Sequence, residues 1–136
     1  MNDRTIRVLL VDDNADMTAV YSRLIDAEPD MRAVWTLGAA DELFMEARRL
    51  RPDVVVLDLT MPGRQPIDAL KELSAEAPDV RTIVFSGYDD AHTIDEVTAA
   101  GAWGLVSKQG EARDVIEAIR RVHRGEASFP FTDFAM

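Results

Sequence analysis

Cysteine is absent from the 136 residues, which excludes disulfides and thiolate metal centres. Apolar runs are short. None approaches the ~20 residues of a membrane-spanning helix, and Met1-Asn2-Asp3-Arg4 does not open a secretion signal. Both absences predict a cytoplasmic protein with no membrane contact. Positive charge is also scarce: twenty-five acidic side chains against fifteen basic ones leave a net charge of −10. That balance argues against direct binding of nucleic acid by this chain, so any DNA-related role would belong to a partner or a further domain. Lysine occurs only at positions 71 and 108, against thirteen arginines. The length suits one domain, which buries about 65–70% of its unfolded surface and needs no covalent staple.

What the chain does contain is a regular alternation. Ile6 to Val11 is an apolar run closed by Asp12-Asp13-Asn14, the pattern of a strand buried on both faces. Met17, Val20, Tyr21, Leu24 and Ile25 then form a helical stripe that Glu28-Pro29-Asp30 ends. Further strands are predicted over residues 31–37, 53–57, 80–85 and 103–107. Helices are predicted over 39–50, around Ile67, Leu70 and Leu73, over 91–100, and around Val115, Ile116, Ile119 and Val122. Five strand–helix repeats imply an α/β domain, a parallel sheet covered by helices on both faces. Residues 1–125 make up that unit. Residues 126–136 fall outside it and carry three of the five Phe, at 129, 131 and 134. They are read as a tail or truncated linker toward an absent output domain. Burial of a Phe is worth roughly 1.5–3 kcal/mol, so these rings are expected to pack on the body or on a neighbouring chain. The first and fifth helices offer the nearest apolar surface.

In an open parallel sheet, ligands bind beyond the carboxyl ends of the strands. The first strand ends in Asp12-Asp13, the third in Asp58, the fourth in Ser86 and the fifth in Ser107-Lys108. One Asp at a strand end is an ordinary helix cap. A pair plus a third on another strand instead favours a hard cation, and an oxygen-rich set with room for water suits Mg²⁺. Lys108 brings a compact ammonium that enters a crowded phosphate site as a point charge. Ser86 brings a hydroxyl, and Gly87 after it permits close backbone approach. Together these residues suit attack of a carboxylate on phosphorus, with Asp58 as nucleophile and Asp12 and Asp13 holding the metal. His92 and His123 form no ligand pair and are read as structural or solvated.

The blocks Val-Leu-Leu-Val-Asp12-Asp13-Asn, Val-Val-Val-Leu-Asp58-Leu-Thr-Met-Pro62-Gly63, Ile-Val-Phe-Ser86-Gly87 and Gly101-Ala-Trp-Gly104-Leu-Val-Ser-Lys108 resemble the receiver domain of two-component response regulators. The resemblance covers residues 5–125. It is strongest to receivers that precede a LuxR-type helix-turn-helix domain. The resemblance implies a flavodoxin-like (βα)₅ fold with strand order 2-1-3-4-5, and phosphorylation of Asp58 by a sensor histidine kinase. It implies that Mg²⁺ is held by Asp13, Asp58 and the Thr60 backbone carbonyl, with Asp12 acting through water. Ser86 would be the switch hydroxyl and Lys108 the phosphate-binding lysine. A homodimer or an output domain would read the switched surface, and the domain itself would not be an enzyme. Three positions depart from the family pattern. Leu105 stands where an aromatic residue is usual, Pro66 where Gly is usual, which is expected to stiffen the loop, and Gln109 follows Lys108 in place of Pro.

Other readings fit less well. A haloacid-dehalogenase-type phosphatase needs a second Asp two residues after its nucleophile, and Thr60 occupies that position. A flavodoxin-like cofactor binder needs a phosphate-cradling loop after the first strand, where Asp12, Asp13 and Asp16 would repel phosphate. The remaining alternative is a phosphorylation-independent interaction module with a receiver fold.

Overall fold

The computed structural model describes residues 5–61 and 63–130. Five strands, β1 (Ile6–Val11), β2 (Met31–Leu37), β3 (Val54–Asp58), β4 (Arg81–Ser86) and β5 (Gly104–Ser107), form one parallel sheet in the order 2-1-3-4-5. Five helices connect and flank them: α1 (Ala15–Asp26), α2 (Leu43–Leu50), α3 (Pro66–Glu76), α4 (Ala91–Ala99) and α5 (Ala112–His123). The architecture is the flavodoxin-like α/β fold that the resemblance implied.

The two-residue period of a strand sorts the apolar runs into two cores. Leu9, Val11, Val55, Leu57, Val84 and Leu105 face one layer, with Leu43, Leu70, Leu73 and Val97 from α2, α3 and α4. Their neighbours Val8, Leu10, Val54, Val56, Ile83 and Val106 face the other, with Ile25, Val115, Ile119 and Val122 from α1 and α5. Every central strand is apolar on both faces because helices cover both.

Several local expectations shift. The second helix begins late: Ala40–Glu42 form a single 3-10 turn before α2, since Ala39 offers no side-chain cap. Pro66 does not lie in the loop at all; it opens α3, where its fixed φ is already helical and its missing N–H costs nothing. Val20 is half-exposed, so the apolar stripe of α1 is narrower than its spacing suggested. Asp58 belongs to β3 itself rather than to the turn after it. His92 and His123 are exposed.

The tail also lies elsewhere than expected. Ser128 bridges in parallel to Gly104, with the Leu105 amide donating to the Ser128 carbonyl (3.0 Å) and the Ser128 amide to Trp103 (3.0 Å). Phe129 packs on the layer of α2, α3 and α4, not against α1 and α5, because pairing with the β5 edge points its ring to the other face. Phe131 and Phe134 lie outside the described residues.

Gly101 ends α4 at φ +109°, and a Cβ there would collide with the Ser74 hydroxyl of α3. Gly101→Ala is therefore expected to cost about 1–3 kcal/mol of stability, read as a lowered urea midpoint with an unchanged m-value.

Candidate functional site

Strand order reverses between β1 and β3: the chain leaves β1 for β2 on one side and returns to β3 on the other. The crevice at the carboxyl ends of β1 and β3 is the topological switch point, and Asp12, Asp13 and Asp58 fall there. Each offers a carboxylate oxygen, and these oxygens lie within 4.8 Å of one another. Asp13 is exposed, whereas Asp12 and Asp58 are buried. Helix capping does not account for the pair. Asn14 caps α1, its side chain accepting the Met17 amide at 3.1 Å, which leaves both acids free of that duty.

Lys108 reaches back from the end of β5 into this group. Its Nζ lies 3.0 Å from Asp58 Oδ1 and 3.6 Å from Asp12 Oδ2, and 5.4 Å above the Phe85 ring. Burial works against the charge of this ammonium. The hydrogen bond and charge of Asp58, with the charge of Asp12, outweigh it and raise the Lys108 pKa above the ordinary lysine value. Asp12 is shifted the other way for a carboxylate's charge. Burial raises its pKa, and Asp58 and Asp13 add repulsion that the Asn14 amide and Lys108 only partly offset. Asp12 Oδ2 is buried without a hydrogen bond among the described residues. An orphaned carboxylate oxygen in a cluster of three acids fits a hydrated divalent cation.

Thr60 donates its amide to Asp58 Oδ1 at 3.2 Å. Ser86 is buried at the end of β4, but its Oγ accepts the Tyr88 amide at 2.9 Å rather than pairing with the carboxylates. The Lys108 amide donates to the Ser86 carbonyl at 2.8 Å, so the main chain holds these two residues side by side at the ends of β4 and β5. Gln109 follows through a trans peptide, and the turn is built by Ser107, whose Oγ accepts the Gln109 amide (3.0 Å) and whose carbonyl accepts that of Gly110 (3.2 Å). Two residues of the site were not singled out from the sequence. Phe85 forms the floor beneath Lys108, and Tyr21 meets it edge-to-face at 5.3 Å. Their signal was only their position, one residue before Ser86 and on the inner stripe of α1.

The sequence profile of the response regulator receiver domain matches residues 8–120. The chain belongs to that family. This receiver is 32% identical over 121 residues to the transcriptional regulatory protein LiaR of Bacillus subtilis, covering 89% of this chain and 57% of that protein. It is 31% identical over 129 residues to the uncharacterized transcriptional regulatory protein YxjL of the same organism, covering 95% and 59%. The receiver thus spans less than two thirds of these relatives' length. A solved two-component response regulator of the LuxR family from Aurantimonas sp. SI85-9A1 superposes with a TM-score of 0.88 at 30% identity, covering 96% of this chain and 93% of that one. As a receiver it is a signalling domain of a two-component system rather than a classical enzyme. No helix among the described residues is long and apolar enough to cross a membrane.

The raised pKa of Asp12 has a sign that stability measurements can read. The folded state holds its proton more tightly than the unfolded state, so ionised Asp12 opposes folding above its folded pKa and that opposition fades as pH falls through it. In metal-free protein, Asp12→Asn keeps an acceptor for the Asn14 amide and is expected to raise the urea midpoint at neutral pH. The gain should shrink as the solution is acidified below the folded pKa.

Proposed function

We propose that this receiver accepts a phosphoryl group from a sensor histidine kinase onto Asp58, in a Mg²⁺-dependent reaction, and changes its output surface in response. The observation that carries the reading is the pairing of Lys108 with Asp58 beside the orphaned Asp12 oxygen, a site with one cation in place and acid left over for a second. Asp13, Asp58 and the Thr60 carbonyl would hold Mg²⁺, with Asp12 acting through water. The metal supplies charge neutralisation for phosphoryl oxygens.

The chain's own residues do the rest. Lys108 and the Thr60 amide both engage Asp58 Oδ1, so the second carboxylate oxygen attacks phosphorus. An O–P bond forms, the P–N bond of phosphohistidine breaks, and the imidazole departs with the electron pair and takes up a proton. Lys108 then balances a phosphoryl oxygen instead of a carboxylate. Ser86 donates a hydrogen bond from its hydroxyl to another oxygen, and its Oγ shifts from its resting place beside the Tyr88 amide to reach it. The loop 87–90 and α4 move with it. Residues 1–125 constitute the phosphoacceptor unit, and residues 126–136 lead toward an output domain that uses the switched surface. The setting is cytoplasmic, where the kinase presents its phosphohistidine.

Incubation with acetyl phosphate and Mg²⁺ is expected to add one phosphoryl group by intact mass. Asp58→Asn should abolish the addition, and Asp13→Ala should reduce it at least tenfold together with the Mg²⁺-dependent rise in melting temperature. A phosphorylation-independent module would show neither effect.

A further inference from the structure

The chain after α5 does not leave the domain. From Gly125, which turns at φ +89°, it runs back along the open edge of β5, and Ser128 takes the place of a sixth strand there. Two hydrogen bonds fasten it to the residues that flank Gly104, at Trp103 and Leu105. Gly104 itself has no left-handed φ that would call for glycine. Its reason is space: a Cβ there would lie 2.6 Å from the Ser128 carbonyl oxygen, and the three nearest atoms it would meet all belong to Ser128.

The same segment supplies a ring where β5 has none. Leu105 lies fully within the core, and Phe129 packs, half-buried, against the cluster that contains Leu105, Val97 and Ala100. Phe129 and Leu105 also line one groove between α5 and the loop before α4, and Asp89 lies on its rim. Asp89 is the neighbour of Tyr88, whose amide the Ser86 hydroxyl holds. The returning chain therefore shares one groove with Asp89, in the loop that begins at Gly87, and Ser86 at the head of that loop ends the strand paired with β3, which carries Asp58.

We infer that residues 126–130 are a strap that reads the state of Asp58: closed on the β5 edge in the unmodified receiver, with Phe129 beside Leu105 in place of the missing switch aromatic, and released when Ser86 is drawn toward a phosphoryl group. The inference rests on the phosphoacceptor reading above. Its consequence is mechanical. The signal passes straight into the chain beyond residue 130, because the strap is covalently continuous with it, and needs no ring rotation within β5. Linkage requires reciprocity: a phosphoryl mimic disfavours the closed strap by the same factor as the closed strap disfavours the mimic, so weakening the strap strengthens binding by up to that factor.

The test uses the full chain with BeF₃⁻ and Mg²⁺, reading bound BeF₃⁻ by fluorine NMR and the Leu105 and Ser128 amides by hydrogen exchange. Protection of the Leu105 amide is expected in the unliganded receiver and should fall about tenfold or more on saturation. Gly104→Ala and Phe129→Ala, chosen so that one removes the space and the other the ring, should lose that protection without ligand and bind BeF₃⁻ about fivefold more tightly. Phe129→Ala alone decides the matter if Gly104→Ala does not fold. Bound BeF₃⁻ with unchanged Leu105 protection would overturn the strap while leaving the phosphoacceptor reading intact, as would wild-type affinity in Phe129→Ala. Failure of the wild-type receiver to bind BeF₃⁻ at all would instead remove the phosphoacceptor reading, and the coupling with it.

Discussion

One ammonium group holds the functional edge together. Lys108 sits between carboxylates delivered by two different strands, Asp12 after β1 and Asp58 at the end of β3, both of them buried. Buried carboxylates without a cation would neutralise or unfold the edge. This requirement explains why the end of β5 must stand opposite the ends of β1 and β3, and why the compact lysine head appears in a chain with only one other lysine. The compensation is incomplete, since one cation faces three acids and one buried oxygen has no hydrogen bond. A site optimised for stability would not leave that oxygen with only a 3.6 Å ion pair to Lys108 and no hydrogen bond. The proposed binding of a second cation and a phosphoryl group would use that uncompensated charge.

The scaffold around this edge is unequal in firmness. Helix α5 buries five residues and is tied at both faces: Arg120 bonds Asp30 at 2.8 and 2.9 Å, while Arg81 donates to the Val122 carbonyl at 2.9 Å and lies 4.5 Å from the Trp103 ring. Helix α4 buries only Val97 within its length. Local opening is easiest where few apolar contacts resist it, so α4 opens more easily than α5. The firmly tied α5 backs one face of the sheet, and the α4 side of the other face is held more lightly. The strap at the β5 edge borders that lighter side and would feel its displacement first.

The departures from the family pattern are each absorbed by a neighbour. Leu105 gives up a ring but fills the core, and Phe129 arrives from outside the strand to cover it. Gln109 cannot shape the turn after Lys108 as Pro would, and the Ser107 hydroxyl organises it instead. Pro66 lies not in a loop but at the first position of a helix. Substitutions that look like losses in a linear pattern are thus redistributed to residues one or two positions away, or to another segment entirely.

The strand cores and the residues that terminate them were readable from the chain alone. Both-face burial forces continuous apolar runs, and a parallel sheet puts every carboxyl end on one edge, so Asp12, Asp58, Ser86 and Lys108 could be gathered without coordinates. The cap of α1 was not readable in the same way: an Asp at the strand end was the candidate, and Asn14 takes the role. What the linear order could not decide were questions of direction and partnership between distant residues. The Ser86 hydroxyl serves the Tyr88 amide at rest, Asp12 is buried while its neighbour Asp13 is not, and Gly104 is small because Ser128 passes beside it. Those facts depend on how a sheet edge, a loop and a returning tail meet in space. Periodicity records which face a side chain takes within its own element; it does not record what another element brings to that face.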